Sequence, residues 1–158
     1  MHFDTMDLKI LSSLQANARL SNVELSEQVN LSASQCYRRL KRMEDSGIIR
    51  GYTALLEPGT LGFGVMAHVN VSLEKHGDNP VQAFRAAIHD YPEVLECHAV
   101  SGDADYVLRV VAPDLKAFSN FLMHRLLALP FIATVRSSIF LDELKNTTTL
   151  PLQSLSHD

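Results

Sequence analysis

The sequence predicts an α+β fold in two parts, and three observations carry that prediction. Between Leu20 and Gly51 two serine-led helix starts stand close together, in LSNVELSEQVNLSASQCYRRLKRMEDSGIIRG. Beyond residue 64 the apolar pattern switches between a period of two and a helical period, in the order strand, helix, strand, strand, helix, strand. Between these parts residues 56–64, LEPGTLGFG, hold one proline and three glycines, the punctuation of a connector. The expected organisation is a helical head over 1–55, a linker over 56–64, a sheet-bearing domain over 65–145 and a tail over 146–158.

The head opens with a helix over 4–16: Asp4 and Asp7 bracket its start, and Phe3, Met6, Ile10, Leu11 and Leu14 recur at helical spacing. Ser21 stands three residues before Glu24, and Ser32 three before Gln35. Each serine hydroxyl can accept from a free amide while its partner reaches back to the serine's own amide, which makes two capping boxes. Leu20 with Leu25, and Leu31 with Cys36, supply the apolar pair that staples each start. Only Asn30 and Leu31 lie between the end of the first of these helices, near Val29, and the next cap, so the chain turns sharply there as a helix-turn-helix. On a wheel of about 100° per residue, Cys36, Leu40 and Met43 share the core side of the second helix, with Ile48 just beyond its end. Gly47 suits a left-handed cap. Residues 48–56, IIRGYTALL, then read as a β-ribbon or wing carrying Arg50 and Tyr52, which completes a winged helix-turn-helix.

Opposite the core side fall Ser34, Arg38, Lys41 and Arg42, with Gln35 beside them. Guanidinium, ammonium, hydroxyl and carboxamide groups on one helix face are those that read DNA: Arg can span guanine O6 and N7, Gln can pair adenine N6 and N7, and Ser and Lys mostly hold phosphates. The candidate DNA-contacting set is Ser32, Ser34, Gln35, Tyr37, Arg38, Arg39, Lys41, Arg42 and Arg50. A basic helix face taken alone is more often merely solvated. The twin caps, the short turn and the apolar backs of both helices favour the DNA reading.

In the second part, Val65, Ala67, Val69, Val71 and Leu73 alternate with polar residues as a strand does. Asp78, Asn79 and Pro80 signal a helix start, Val81, Phe84, Ala87, Ile88 and Tyr91 give its buried side, and Pro92 stops it. Strands follow at 94–100 and 106–111, joined by the turn SGDAD at 101–105. Pro113 and Asp114 open another helix with Leu115, Phe118, Phe121, Leu122 and Leu126 on one side, Pro130 closes it, and a last strand runs over about 132–144. The order is that of a ferredoxin-like βαββαβ domain, one antiparallel sheet with both helices on one face. Tyr106, Leu108, Val110 and Phe140 are expected on the face opposite Val107, Val111 and Ile139, so apolar residues occupy both faces. An uncovered apolar face costs roughly 25 cal/mol per Å², and pairing through the sheets into a homodimer is the expected remedy. The Thr-rich tail over 146–158 reads as an irregular or frayed end.

Hydrophobic residues are 46% of the 158 and charged ones 20%, which excludes a disordered chain. The net charge of -4 is uneven: residues 1–50 hold seven Lys or Arg against six Asp or Glu, and 51–158 hold seven against twelve. Phosphate contact would then rest on a local patch repeated by oligomerisation, not on the field of the whole chain. No apolar stretch approaches the ~20 residues of a membrane span, and none follows an N-terminal basic segment, so a cytoplasmic location without membrane contact is expected. Cys36 and Cys97 lack CxxC spacing and read as small buried thiols, and the seven histidines show no ligand spacing. No metal and no cofactor are expected.

Particular stretches resemble one family. SNVELS at 21–26, LSxSxCxxRLxRxE at 31–44, GYTALLEP at 51–58 and ECHxVSGDxDYxL at 96–108 are similar to the Lrp/AsnC ("feast/famine") transcriptional regulators, and the resemblance covers nearly the whole chain. It implies a dimer that builds into higher oligomers, commonly octamers, on promoter DNA, answering to a small molecule that is usually an amino acid. It places the effector between sensor domains against the 101–106 turn, with Ser101, Gly102, Asp103, Asp105, Tyr106, Phe131, Thr134 and Arg136 as effector-binding residues. Physically, Gly102 would let backbone amides approach a carboxylate, while Asp103 or Asp105 could neutralise an ammonium. The plainer alternative is a hairpin turn and nothing more, since Gly and Asp are favoured there anyway. Where the family often has Leu-Pro-Gly-Val, this chain has Leu129, Pro130, Phe131 and Ile132, and a bulky Phe131 is expected to reshape the crevice. The expected function is a sequence-specific, effector-responsive regulator and not an enzyme. A constitutive DNA-organising protein with no effector is the alternative; an enzyme built on Asp103, Asp105 and His98 is weakly supported, lacking any nucleophile or phosphate loop.

Overall fold

The computed structural model describes residues 3–74 and 79–155. The chain divides into two compact units, Met1–Leu55 with Lys145–Asp158, and Leu56–Leu144.

The first unit holds α1 (Thr5–Ala16), α2 (Asn22–Gln28) and α3 (Ala33–Asp45). All three start on capping boxes. Ser21 Oγ accepts from the Glu24 amide at 3.2 Å while Glu24 Oε2 accepts from the Ser21 amide at 2.7 Å. Ser32 and Gln35 exchange the same pair of bonds at 3.3 Å each, and Asp4 with Asp7 forms a third box. Asn30, at φ 55°, makes the left-handed turn between α2 and α3, and Gly47, at φ 73°, follows α3 in the conformation that an L side chain rarely adopts. Ile10, Leu14, Leu25, Val29, Cys36 and Met43 form the buried core, with Leu40 and Ile48 packed at its edge.

Two expectations for this unit fail. Residues 48–56 form no strand: an isolated ribbon has no ladder partner here, and Tyr52 donates its hydroxyl to Glu44 Oε1 at 3.0 Å, which turns it back onto α3. The tail, expected to fray, docks on the head. Leu152 opens a 3₁₀ turn, Leu152–Leu155, and is buried among α1 and the end of α2. The Gln15 carboxamide bonds the Leu150 backbone twice, donating to its carbonyl at 3.1 Å and accepting from its amide at 2.7 Å. Nothing periodic in the tail announced this, because one buried leucine and two backbone groups of Leu150 do the holding.

The second unit is a four-stranded antiparallel sheet in the order β2-β3-β1-β4, built from β1 (Val65–Leu73), β2 (Val94–Ala99), β3 (Tyr106–Ala112) and β4 (Ile132–Ile139). Helix α4 (Pro80–His89) starts on Asn79, whose Oδ1 accepts from the Gln82 amide at 3.4 Å. Asp78, expected in the same start, lies outside the described residues. Helix α5 (Leu115–Phe121) widens into a π turn, Leu122–Leu126. The core lies between the helices and one sheet face: Val65, Ala67, Val69 and Val71 of β1 and Tyr106, Leu108 and Val110 of β3 meet Phe84, Phe118 and Phe121. Val81 and Leu115, in the first turns of their helices, stay exposed.

The register corrects the expected faces. Ala67 pairs with Ile139 and Val71 with Val135, so Ile139 belongs to the helix side, together with Leu108 and Val110. Phe140 belongs to the open side, where its ring meets His68 edge-on at 4.7 Å. β4 ends at Ile139, short of the 144 expected, although the Phe140 amide still donates to the Met66 carbonyl at 2.9 Å. The open face is largely polar, with His68, Asn70, Arg109, Arg136 and Glu96, the last ion-paired to Arg109. Sheet-face apolar area therefore does not by itself require a dimer. Exposed apolar side chains occur elsewhere, at Leu56, Leu61 and Phe63, which line one concavity, and at Leu55, Leu141 and Leu144.

Candidate functional site

Helix α3 owes its setting to both ends of the head. Its first turn is held by the Ser32–Gln35 box and by Asn22, whose Nδ2 donates to the Ala33 carbonyl at 2.9 Å. Ser34 Oγ lies 3.3 Å from Ser32 Oγ at the exposed helix start. The cap engages the Gln35 carboxamide oxygen and leaves its NH₂ without a partner in the box. Cys36 and Met43 bury the helix back at 0% exposure, and Tyr37 stands 58% exposed on the front. Tyr37, Arg38, Lys41, Arg42, Asp45 and Ser46 line a surface concavity of about 560 Å³.

The cations of α3 differ in their commitments. Arg38 is exposed and makes no ion pair among the described residues. Lys41 pairs with Asp45 at 2.9 Å on the surface, which raises its pKa; such an exposed pair is screened by solvent and exchanges readily. Arg39 is turned inward: it bonds Asp4 at 2.6 Å and the buried Asp7 at 2.8 Å, and only a quarter of its side chain is exposed. Arg42 also reaches Asp7, at 2.6 Å. Arg39, expected to contact DNA, thus serves as an internal strut, because its position on the wheel lies between the core and solvent sides. Asp4 is held below its ordinary pKa, first by the Asp7 amide and then by Arg39. Burial, and then Glu44, push the Tyr52 phenol up to about 12. Arg50 is exposed beyond the helix end.

In the second unit, a concavity of about 420 Å³ is lined by Asn70, Ser72, Val100, Ser101, Asp103, Ala104, Thr134 and Arg136. Cross-strand pairs build its floor, Asn70 beside Arg136 and Ser72 beside Thr134. Four of the expected effector residues, Ser101, Asp103, Thr134 and Arg136, therefore come together. Gly102, at φ 123°, shapes the turn above them without lining the concavity.

Three others are placed differently. Asp105 spends its carboxylate on the Leu73 amide, at 2.8 Å, to tie the turn to β1. Tyr106 points to the opposite face and packs on Phe84, ring centroids 4.6 Å apart. Phe131 packs against the core, so it does not narrow the concavity. Asn70 and Ser72 escaped sequence reading because the alternation of β1 shows which residues share a face, but not which strand lies beside them. His98 pairs with Glu96 at 3.3 Å, a partner unforeseen in the weak enzyme alternative. Cys36 is buried, whereas Cys97, expected buried, is exposed. Among the described residues no group of three or more His, Cys, Asp or Glu is placed to hold a metal ion, and no helix is long and apolar enough to cross a membrane.

The family model described as winged helix-turn-helix DNA-binding matches residues 3–50, and that of the Lrp/AsnC ligand binding domain matches residues 66–150. The chain belongs to the Lrp/AsnC family. Among its Lrp/AsnC relatives, the leucine-responsive regulatory proteins of Salmonella typhimurium and of Escherichia coli K12 are each 38% identical over 151 residues, covering 96% of this chain and 92% of theirs. A transcriptional regulator of Neisseria meningitidis, crystallised as an L-Met complex, is 45% identical with a TM-score of 0.94, covering 98% of this chain and 99% of that one. An AsnC family transcriptional regulator of Agrobacterium tumefaciens is 37% identical at a TM-score of 0.90, covering 97% and 99%. The chain is thus an Lrp/AsnC transcriptional regulator with a DNA-binding helix-turn-helix head and a ligand-binding domain, and these relatives are regulators, not enzymes. Both matches stop short of the docked turn at Leu152–Leu155.

Proposed function

We propose that the chain is a homo-oligomeric regulator that presents α3 to the major groove of promoter DNA and adjusts its occupancy to an amino acid held in the concavity over Asn70 to Arg136. The carrying observation is the front of α3, where Ser34, Tyr37, Arg38 and Lys41 are exposed while the back is buried at Cys36 and Met43. Arg38 suits guanine O6 and N7, Ser32, Ser34, Lys41 and Arg50 suit phosphates, and Tyr37 suits a thymine methyl or the sugar edge. One such head on a chain of net charge -4 has a small field. A homodimer doubles the patch and sets two copies of α3 about 34 Å apart, one helical turn of DNA. The exposed Leu55, Leu56, Leu141 and Leu144 offer the apolar area for that pairing and for assembly to an octamer.

An α-amino acid brings one carboxylate and one ammonium. Arg136 and Asp103 offer the complementary charges, and Asn70, Ser72, Ser101 and Thr134 can satisfy the remaining donors and acceptors. Val100 and Ala104 supply little apolar wall, so choice among amino-acid side chains falls to a second copy closing the concavity. The L-Met complex of the Neisseria regulator supports this ligand class. The effector acts only through unequal affinity for two assembly or head arrangements.

A gel-shift titration of the full chain on its own upstream duplex, with and without each of the twenty amino acids, tests both halves. We expect retardation at low salt and a changed midpoint with at least one amino acid. Absence of retardation at low salt would remove the DNA half. Retardation and melting temperature both indifferent to every amino acid would leave the constitutive DNA-organising protein in its place.

A further inference from the structure

The DNA-facing reading of α3 leaves Asp7 without a role. Its carboxylate sits on α1 with the side chain 2% exposed. Oδ1 accepts from Arg39 Nη1 at 2.8 Å, and Oδ2 accepts from Arg42 Nη2 at 2.6 Å and from the Asp4 amide at 3.3 Å. Arg39 has a second acceptor in Asp4 Oδ2, at 2.6 Å, whereas Asp7 is the one acceptor the structure gives the Arg42 guanidinium among the described residues. Yet Arg42 is 58% exposed and lines the same concavity as Arg38 and Lys41. A charge-assisted bond to a carboxylate shielded from water is strong, and it directs the Arg42 guanidinium toward α1.

We propose, resting on the reading of α3 as the DNA-facing helix, that Asp7 is a positioning residue that withholds Arg42 from DNA phosphate. It sets α3 against α1 and leaves Arg38 and Lys41 as the cations of that helix free to meet the duplex. Withholding a cation lowers the sequence-independent part of binding, which depends on the number of phosphates neutralised, and leaves base contacts a larger share. The selectivity of the head therefore depends on an acidic residue that touches no DNA. In Asp7→Asn the side chain keeps its shape but offers one oxygen and one NH₂ group. In either amide orientation the charge is gone: with the NH₂ toward Arg42 the two groups meet donor to donor, and with the oxygen there the bond to Arg42 is a neutral acceptor's, about half as strong, while Arg39 keeps Asp4 in both, so Arg42 is the guanidinium loosened.

The test is the slope of log K against log salt for the full chain on its own upstream duplex and on a scrambled one, for wild type, D7N, R42M and the double variant, each with its melting temperature. We expect R42M to leave the wild-type slope unchanged and D7N to steepen it by about 0.9, one added phosphate. That equals about threefold more affinity lost between roughly 50 and 200 mM salt. D7N should also narrow the ratio between specific and scrambled duplex, and the double variant should restore the wild-type slope. A D7N slope equal to wild type with only the melting temperature lowered gives Asp7 a purely structural part and overturns the proposal. So does an R42M slope shallower by about 0.9, since Arg42 would then already hold a phosphate, and this arm decides the matter even if D7N fails to fold. Failure of the DNA reading itself is recognised separately, by wild-type chain that binds neither duplex at low salt.

Discussion

The head's helices bury six apolar side chains in one core, with Leu152 of the tail a seventh, and are held by three capping boxes, the docked tail and an ion cluster around Asp7, whereas the sensor domain buries thirteen apolar side chains against one sheet face. These numbers refer to the described residues, and the difference tells how each site is held. A three-helix core of that size is marginal by itself, so discrete polar contacts set the angle of α3. The sensor concavity stands on a sheet already held by apolar packing, so its polar lining is not what holds the sheet. Changes to single polar groups should therefore register in the head, and changes to apolar volume in the sensor.

The largest effect that would break this contrast is Phe84→Ala. Phe84 is fully buried between α4 and the sheet, and its loss should destabilise the sensor by about 3–5 kcal/mol, read as an earlier urea transition. A cost under about 1 kcal/mol would mean that the sensor core collapses around the gap and is not the rigid platform described. Next comes Leu152→Ala in the tail, with about 2 kcal/mol expected at the head's transition because the site is peripheral. Loss confined to the sensor's transition would contradict the tail's place on α1. Ser32→Ala should cost about 1 kcal/mol and raise amide exchange in the first turn of α3; unchanged exchange there would show that the cap is dispensable.

The smallest effect is a pH dependence. Asp4 is held below its ordinary value of 3.8, first by the Asp7 amide and then by Arg39. A carboxyl with a lowered folded pKa binds fewer protons folded than unfolded, so its contribution is full above the ordinary value of 3.8 and is lost as the pH falls from there through the lowered folded value. Asp4→Asn should flatten the head's loss of stability as the pH falls below the ordinary value of 3.8; an unaltered acid limb would assign that loss to other carboxylates.

Legibility followed the same division. The caps of α2 and α3 were readable because a capping box is local, four residues that satisfy one another's amides. The sheet order was readable because alternation and helix stops come in sequence. What failed was whatever depended on a distant partner. The Asp4 and Asp7 pair read as a helix start and proved also to anchor Arg39 and Arg42, a contact across more than thirty positions. The sides of Ile139 and Phe140 were exchanged because a strand end one residue out of register flips every side chain. Asp105 looked like a ligand group and closes the Leu73 amide instead. In the tail, one buried leucine and two backbone bonds leave no periodic trace.

The measurement that bears most directly on the central claim, that the front of α3 enters a duplex groove, is the affinity of full-length Arg38→Ala for the upstream duplex, beside Arg85→Ala. Arg38 lies on the exposed front of α3 and Arg85 on α4 of the sensor, so both variants remove one exposed charge. We predict that Arg38→Ala weakens specific binding by about 1–3 kcal/mol with its melting temperature kept, and that Arg85→Ala binds as the wild type does. Equal affinity of the two variants would contradict the account, because the duplex would then be meeting some surface other than α3.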